Sequence, residues 1–214
     1  MKNGNLNMKD IKTDQEKFWA GEFGDKYINR NKSKELLAAN IKMFSDVFSK
    51  TDKISSITEY GCNVGMNFKA IKNILPNCSL RGVEINKAAV DILREQQPEI
   101  EVVQKSILEP DKEKVDLTFT KGVLIHINPT ELERVYENLY KNTVRYLLIA
   151  EYYNPTPVAL KYRGHEDKLF KRDFAGEILE LYSDLSLLDY GFCYHRDNNF
   201  PQDDITWFLL EKPK

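Results

Sequence analysis

Short apolar runs alternate with segments of helical spacing along most of this chain. Runs of strand length lie at Ile54 to Tyr60, Ser79 to Val83, Ile100 to Val103, Val115 to Phe119 and Tyr146 to Ala150. Between them, Lys87 to Glu95 reads as a helix. So does Thr130 to Lys141, where Leu132, Val135, Tyr136, Leu139 and Tyr140 recur at helical intervals behind Pro129, a residue suited to a first turn. Such a βαβα series predicts an α/β fold, a doubly wound and mostly parallel sheet. The end of the chain breaks the series. Asp173 to Tyr182 predicts a helix with Phe174, Ile178, Leu179 and Leu181 inward, and two strand-like runs follow, Ser186 to Tyr194 and Ile205 to Glu211. Consecutive strands joined by the polar loop 195–204 predict an antiparallel hairpin at the edge of the sheet.

Candidate chemistry begins where the first run ends. Glu59-Tyr60-Gly61-Cys62-Asn63-Val64-Gly65 is a small-residue turn between a strand and a helix. Gly61 lets the chain leave the strand sharply, and Gly65 permits close approach at the helix start. Glu84 closes the second strand about 20 residues on, where an acid accepts hydrogen bonds from two ribose hydroxyls. A nucleoside-containing cofactor across the carboxyl edge of the sheet is the expectation, with Cys62, Asn67 and Ile85 beside it. A dinucleotide is disfavoured, because Asn63 and Asn67 stand where G-x-G-x-x-G needs glycine. The turn resembles motif I of class I S-adenosylmethionine-dependent methyltransferases, with Glu59 as its acid, Gly61 and Gly65 as its outer glycines, and Asn63 departing from the middle one. A tight turn with no ligand is the plainer alternative.

Composition narrows the partners. Acids and bases nearly cancel, 33 against 31, so no surface for nucleic acid is implied. No apolar run approaches a membrane span, and the polar start MKNGNLNMKD lacks a signal-peptide core. Three cysteines without metal spacing suit free thiols in a cytoplasmic protein that holds no metal, with Cys62 a small packing residue. The length fits one domain, expected over 14–214 behind a mobile polar tail at 1–13. Within it, 14–50 reads as a helical lid and 51–214 as the Rossmann-like core. The oligomeric state is not legible.

Three further segments carry candidates. Phe119-Thr120-Lys121-Gly122-Val123-Leu124-Ile125-His126 follows the fourth strand, and His126 has the side chain whose ordinary pKa suits a base near neutrality. A structural role for His126 stays open. The fifth strand ends at Glu151-Tyr152-Tyr153-Asn154, followed by Tyr162-Arg163-Gly164-His165-Glu166, read as a loop leaving the ligand edge of the sheet. Tyr152, Tyr153, Asn154, Arg163, His165 and Glu166 are its candidates for binding a polar acceptor, and Tyr152 and His165 join His126 as catalytic candidates. A solvated charged loop is the alternative. Near the start, FWAGEFGDKYINRN sets aromatics beside two glycines, as a lid over a site would.

The words FWAGEFGDKYINRN, EYGCNVGMN, GVEIN, GVLIHINP, EYYNP, YRGHEDKLFKRDFAGE and DDITWFLLEK resemble the bacterial pseudaminic acid biosynthesis-associated methylases from about residue 13 onward. That resemblance implies the seven-stranded methyltransferase architecture and S-adenosyl-L-methionine as cofactor, with S-adenosyl-L-homocysteine as product. It sets Ser106 and Ile107 at the adenine, Thr120 and Lys121 beside the methionine part, and Tyr27 and Arg30 within reach of the cofactor carboxylate. The implied acceptor is a sugar or sugar nucleotide of nonulosonic acid or surface-glycan synthesis. A methyltransferase of another small metabolite and a cofactor-binding pathway partner without catalysis remain as alternatives. No Asn/Asp-Pro-Pro-aromatic motif follows the fourth strand, which disfavours a DNA N-methyltransferase.

Overall fold

The computed structural model describes residues 11–30 and 33–213. Most of the expected tail therefore lies outside the described residues, while Thr13 caps the first helix. Among the described residues, seven α-helices and nine strands follow in the order α1 Asp14–Ala20, α2 Glu22–Tyr27, α3 Lys34–Phe48, β1 Ser56–Tyr60, α4 Met66–Ile74, β2 Ser79–Glu84, α5 Lys87–Gln96, β3 Glu101–Gln104 and β4 Val115–Lys121. The chain continues through α6 Leu132–Asn142, β5 Thr143–Glu151, β6 Val158–Tyr162, β7 His165–Lys171, α7 Phe174–Leu181, β8 Ser186–Cys193 and β9 Ile205–Glu211.

One seven-stranded sheet has the order β3-β2-β1-β4-β5-β9-β8. The first five are parallel, and β9 runs antiparallel to both β5 and β8. Parallel strands buried on both faces need apolar runs, and Ile57, Leu117, Phe119, Leu147 and Leu148 have essentially no exposure. One core packs Met43 and Phe44 of α3, Phe68 of α4 and Leu93 of α5 on the first face. A second packs Val135 and Leu139 of α6 with Phe174 and Ile178 of α7 on the other. The chain leaves β1 toward β2 on one side and reaches β4 on the other. That reversal opens a crevice at the carboxyl ends of the strands.

Two features differ from the sequence reading. Residues 158–171, read as a loop, form the antiparallel hairpin β6–β7, a second small sheet. Its turn is Arg163-Gly164, both left-handed with φ 51° and 89°. Two such residues match the twist of a two-residue hairpin. Leu181 is 48% exposed, because α7 ends there, while Phe174, Ile178 and Leu179 pack inward as expected.

Candidate active site

The turn after β1 owes its shape to three left-handed residues at alternate positions. Gly61, Asn63 and Gly65 have φ of 77°, 48° and 77°. Asparagine tolerates this region better than other side-chain residues, so Asn63 replaces the middle glycine without changing the turn. Every amide of the turn is spent internally. Gly61 and Cys62 donate to Val83 O, Asn63 N to Glu84 Oε2 at 2.8 Å, Val64 N to Asn63 Oδ1 at 2.7 Å, and Gly65 N to Cys62 O at 2.9 Å. A pyrophosphate would therefore find no free N–H in this loop, and it would meet the Glu84 carboxylate.

Glu84 is buried at the end of β2, and its other oxygen accepts from Asn86 N at 2.8 Å. Burial pushes its pKa up, while these backbone donors favour the ionised form. Each carboxylate oxygen keeps a second acceptor site for a ribose hydroxyl. Cys62 is buried against Gly82, where an added Cβ would sit 2.5 Å from its sulfur. The small side chain is thus a packing requirement, and burial raises the thiol well above its usual pKa.

A cavity of about 230 Å³ opens from this turn. Of the candidates named from sequence, Tyr27, Glu59, Gly61, Cys62, Asn63, Asn67, Glu84, Ile85, Ser106, Ile107, Lys121, His126 and Tyr152 line it. Gly65 supports it from beneath, where a Cβ would meet Gln97 and Leu93. Arg30, Thr120, Tyr153, Asn154, Arg163, His165 and Glu166 are not in its lining. Thr120 neighbours Lys121 on β4, so their side chains take opposite faces, and the Thr120 hydroxyl instead approaches Glu151. Tyr153 bridges to Arg172, Asn154 bonds within its own turn to Thr156, and Glu166 pairs with Lys161 on the exposed hairpin.

Several lining residues escaped the sequence reading. Glu16 of α1 is buried and accepts from Thr13 N at 2.8 Å and from the Ser106 hydroxyl at 2.5 Å. Ser106 in turn accepts from Leu108 N, so its hydroxyl is already committed on both counts. Thr13-x-x-Glu16 is a capping-box spelling visible in the sequence, but nothing local ties it to Ser106. Asn86, the cap of α5, donates to Trp19 O and to Asp25, docking the α1–α2 elbow over the cavity. Gly24 makes that contact possible, since a Cβ there would fall 1.9 Å from Trp19 O. Asp203, just before β9, forms part of the far wall.

Polar atoms without partners concentrate here. Gln15 Oε1, Trp19 Nε1, Asn40 Oδ1 and Glu59 Oε2 are all buried, unpaired among the described residues, and carried by residues of the lining. Glu59 receives one bond, from Asn67 Nδ2 at 2.5 Å, and desolvation raises its carboxyl to about 8. With Glu59 mostly protonated at pH 7, the carboxyl groups of Glu16, Glu84 and Asp203 share the lining with two lysines, Lys105 and Lys121, and burial lowers the Lys121 pKa. The wall suits a ligand with many polar atoms and positive charge. S-adenosylmethionine fits that description, and a dinucleotide does not.

His126 is held rather than poised. Its Nδ1 lies 2.6 Å from Lys168 O of β7, which fixes the proton on Nδ1 and leaves Nε2 as the lone pair. Burial lowers its pKa to about 4, so it is neutral at pH 7, against the expectation of a base tuned near neutrality. The turn that carries it is anchored by Glu151, whose carboxylate accepts from Val123 N, Leu124 N and Ile125 N. Trp19 and Tyr162 flank the imidazole at 4.6 and 4.8 Å between centroids, and Phe23 contacts Tyr162 at 6.0 Å. His165 meets Phe18 and Phe23 edge-on, outside the cavity lining. The α1–α2 elbow and the hairpin thus meet at the crevice through one aromatic cluster.

No family model matches the chain, and no curated protein is similar to it in sequence. Solved structures are similar in fold. The plantazolicin methyltransferase in complex with S-adenosylhomocysteine superposes with TM-score 0.65 at 13% identity, covering 94% of each chain. Magnesium protoporphyrin IX methyltransferase from Synechocystis, also with that product bound, gives 0.67 at 14% identity over 94% of this chain and all of that one. The chain has the class I methyltransferase fold. An amino pentose methyltransferase of Micromonospora echinaspora involved in calicheamicin biosynthesis, with S-adenosylmethionine bound, gives 0.62 at 10% identity over 89% and 96%. Among the described residues no helix is long and apolar enough to cross a membrane, and no cluster of three or more acidic, His or Cys side chains is placed to hold a metal.

Proposed function

We propose that the protein is an S-adenosylmethionine-dependent methyltransferase acting on a small polar acceptor, a sugar or sugar nucleotide of nonulosonic acid or surface-glycan biosynthesis. The observation that carries the cofactor is the turn. Its amides are consumed internally while it presents Glu84, held by two backbone N–H groups, to an acid-lined cavity. In this reading Glu84 takes the ribose hydroxyls. Glu16, in place of the expected Ser106, takes the adenine amino group, with Ile107 against the ring. The unpaired Glu59 oxygen and the lining Asn67 serve the methionine end. The left-handed Asn63 supports a working turn despite the missing middle glycine. The sugar acceptor rests on the words shared with the pseudaminic acid-associated methylases, and the amino pentose methyltransferase lends the fold-level analogy.

Bound there, the cofactor supplies a methyl group activated on a sulfonium sulfur. The chain's own residues then exclude water and orient the acceptor. Tyr27, with its hydroxyl raised to about 12, and Tyr152, raised further by burial, stay protonated and donate hydrogen bonds. His126 accepts one through Nε2. With a conjugate acid near 4 it steers a nucleophile's proton without removing it from an alcohol. Calorimetry with S-adenosylmethionine, S-adenosylhomocysteine and NAD tests the cofactor, and tighter NAD binding would refute it. A mass-spectrometric panel of sugar nucleotides, scored for the gain of one methyl, tests the acceptor.

A further inference from the structure

Most arginines of the chain hold a carboxylate: Arg81 pairs with Asp111 at 2.6 Å, Arg145 with Glu211 at 2.7 Å, and Arg172 with Glu177 at 2.7 Å. Arg30 and Arg163 have no ion pair among the described residues, and both side chains are exposed. They come from distant parts of the chain to one place. Arg30, after α2, lies over the Tyr27 ring at 5.6 Å, and Arg163, at the hairpin tip, lies over the Tyr162 ring at 5.4 Å. Both tyrosines line the cavity, and both guanidinium groups act on the Tyr27 hydroxyl. The left-handed backbone at Arg163 keeps this side chain at the tip, where asparagine or glycine is the usual choice. Lys168 and Lys171 of β7 extend the positive edge, lying over Phe18 and Tyr152 at 5.6 and 5.1 Å.

On the cavity lining itself the sign reverses, at an exposed acid. Asp203 lines the cavity with no ion pair among the described residues. Its neighbours hold it in place: Asp204 N donates to Gln202 O at 2.8 Å, Gln202 is buried, and the Asp204 carboxylate is tied to His195. Asp203 sits at the β9 end of the sheet. With strands about 4.8 Å apart, that is three strand spacings, about 14 Å, from the turn after β1 and four, about 19 Å, from β2. The Glu84 end of the cavity therefore belongs to the cofactor and this wall to the acceptor.

We infer that Arg30 and Arg163 form an anion clamp at the cavity mouth that holds the phosphoryl groups of a phosphorylated or nucleotide-linked acceptor, while Asp203 admits only the neutral or cationic end of that molecule to the interior. This rests on the methyltransferase reading of the site and names the class of acceptor for it. Arg30, expected from sequence beside the cofactor carboxylate, is assigned to the acceptor instead. Planar guanidinium groups bind phosphate through paired N–H donors, and a carboxylate on the cavity lining repels the same phosphate, which favours entry by the other end of the molecule.

The test titrates UDP, and pyrophosphate alone, into the full-length protein with and without saturating S-adenosylhomocysteine, by calorimetry at several salt concentrations. The clamp predicts saturable, salt-sensitive UDP binding that persists beside S-adenosylhomocysteine. Arg30→Gln and Arg163→Gln should each weaken it at least about fivefold, and the pair together at least about 20-fold. Arg163→Lys should recover part of the loss, Asp203→Asn should leave UDP binding equal or tighter, and S-adenosylhomocysteine affinity should stay within about twofold throughout. Pyrophosphate binding as tightly as UDP would identify a bare phosphate site and overturn the nucleotide-linked class. The clamp is overturned if UDP does not bind, if it displaces S-adenosylhomocysteine, or if the glutamine variants bind it like the wild type. Loss of S-adenosylhomocysteine affinity in Arg30→Gln returns that residue to the cofactor. Failure of the wild type to bind S-adenosylhomocysteine at all removes the methyltransferase reading instead.

Discussion

Glu84→Ala separates the proposed cofactor site from a merely structural turn. The carboxylate accepts Asn63 N and Asn86 N, both at 2.8 Å, and its remaining acceptor capacity faces the cavity. Removing it has two costs. The ribose loses its hydrogen bonds to a charged acceptor, about 1.5–3 kcal/mol, which is about a 10- to 160-fold loss of affinity. The two backbone donors also lose their partner, at about 1–3 kcal/mol each if left dry. Water entering from the adjoining cavity would reduce that second cost, so the fold should survive with a lowered melting temperature. Calorimetry with S-adenosylhomocysteine, alongside thermal unfolding of the free protein, measures the two separately. Glu84→Gln is the control, since it keeps the volume and one acceptor oxygen and should fall between wild type and alanine. If alanine melts lower but binds as tightly as the wild type, Glu84 only braces the turn and the ribose is held elsewhere.

Other expectations follow from single contacts. Gly61→Ala places a Cβ 2.4 Å from Val123 Cγ2, so it should destabilise through that clash and through the left-handed backbone, and Val123→Ala in the same chain should restore part of the melting temperature, leaving about 1–2 kcal/mol of strain. This differs from the simpler expectation that a side chain at position 61 collides with the cofactor. Asn63→Gly trades the Asn63 Oδ1 bond to Val64 N for an easier left-handed turn, so stability should change by less than about 1 kcal/mol and S-adenosylhomocysteine should still bind; loss of binding would mean that Asn63 contacts the ligand itself. Glu59 and Glu151 carry folded pKa values raised from 4.5 to about 8 and about 7, so the folded protein keeps protons that the unfolded chain releases. Their contribution is full below about pH 4.5 and is lost as pH rises toward 8, and Glu59→Gln should flatten a chemical-denaturation series over that interval. His126 is neutral above about pH 5, so single-turnover methyl transfer should show no inflection from it between pH 6 and 8, and His126→Ala should lower the rate without changing the shape of the profile.

Local signals made the strands, the turn and Glu84 legible. Buried parallel strands require unbroken apolar runs, and a left-handed turn requires Gly61, Gly65 and a residue as tolerant as Asn63, so these positions announce themselves without their partners. Two further features were also within reach of the sequence. Thr120 and Lys121 are adjacent in a strand, so their side chains point to opposite faces of the sheet, and Arg163-Gly164 between Tyr162 and His165 is the spelling of a hairpin turn.

Tertiary structure alone decided the rest, because the decisive contacts join residues that share no local pattern. Glu16 meets Ser106 across 90 positions, and Asn86 meets Trp19 across 67. The pKa of His126 is set by burial beneath Trp19 and Tyr162 and by a carbonyl 42 residues away. Desolvation depends on what the whole fold places around a group, and it turned a histidine suited by its ordinary pKa to be a base into a neutral, oriented ring. Asp203, Arg30 and Arg163 are three ordinary surface charges in the sequence. Asp203 joins the cavity lining, and Arg30 and Arg163 come over the lining tyrosines Tyr27 and Tyr162, only where β9, the α1–α2 elbow and the hairpin meet at the carboxyl edge of the sheet.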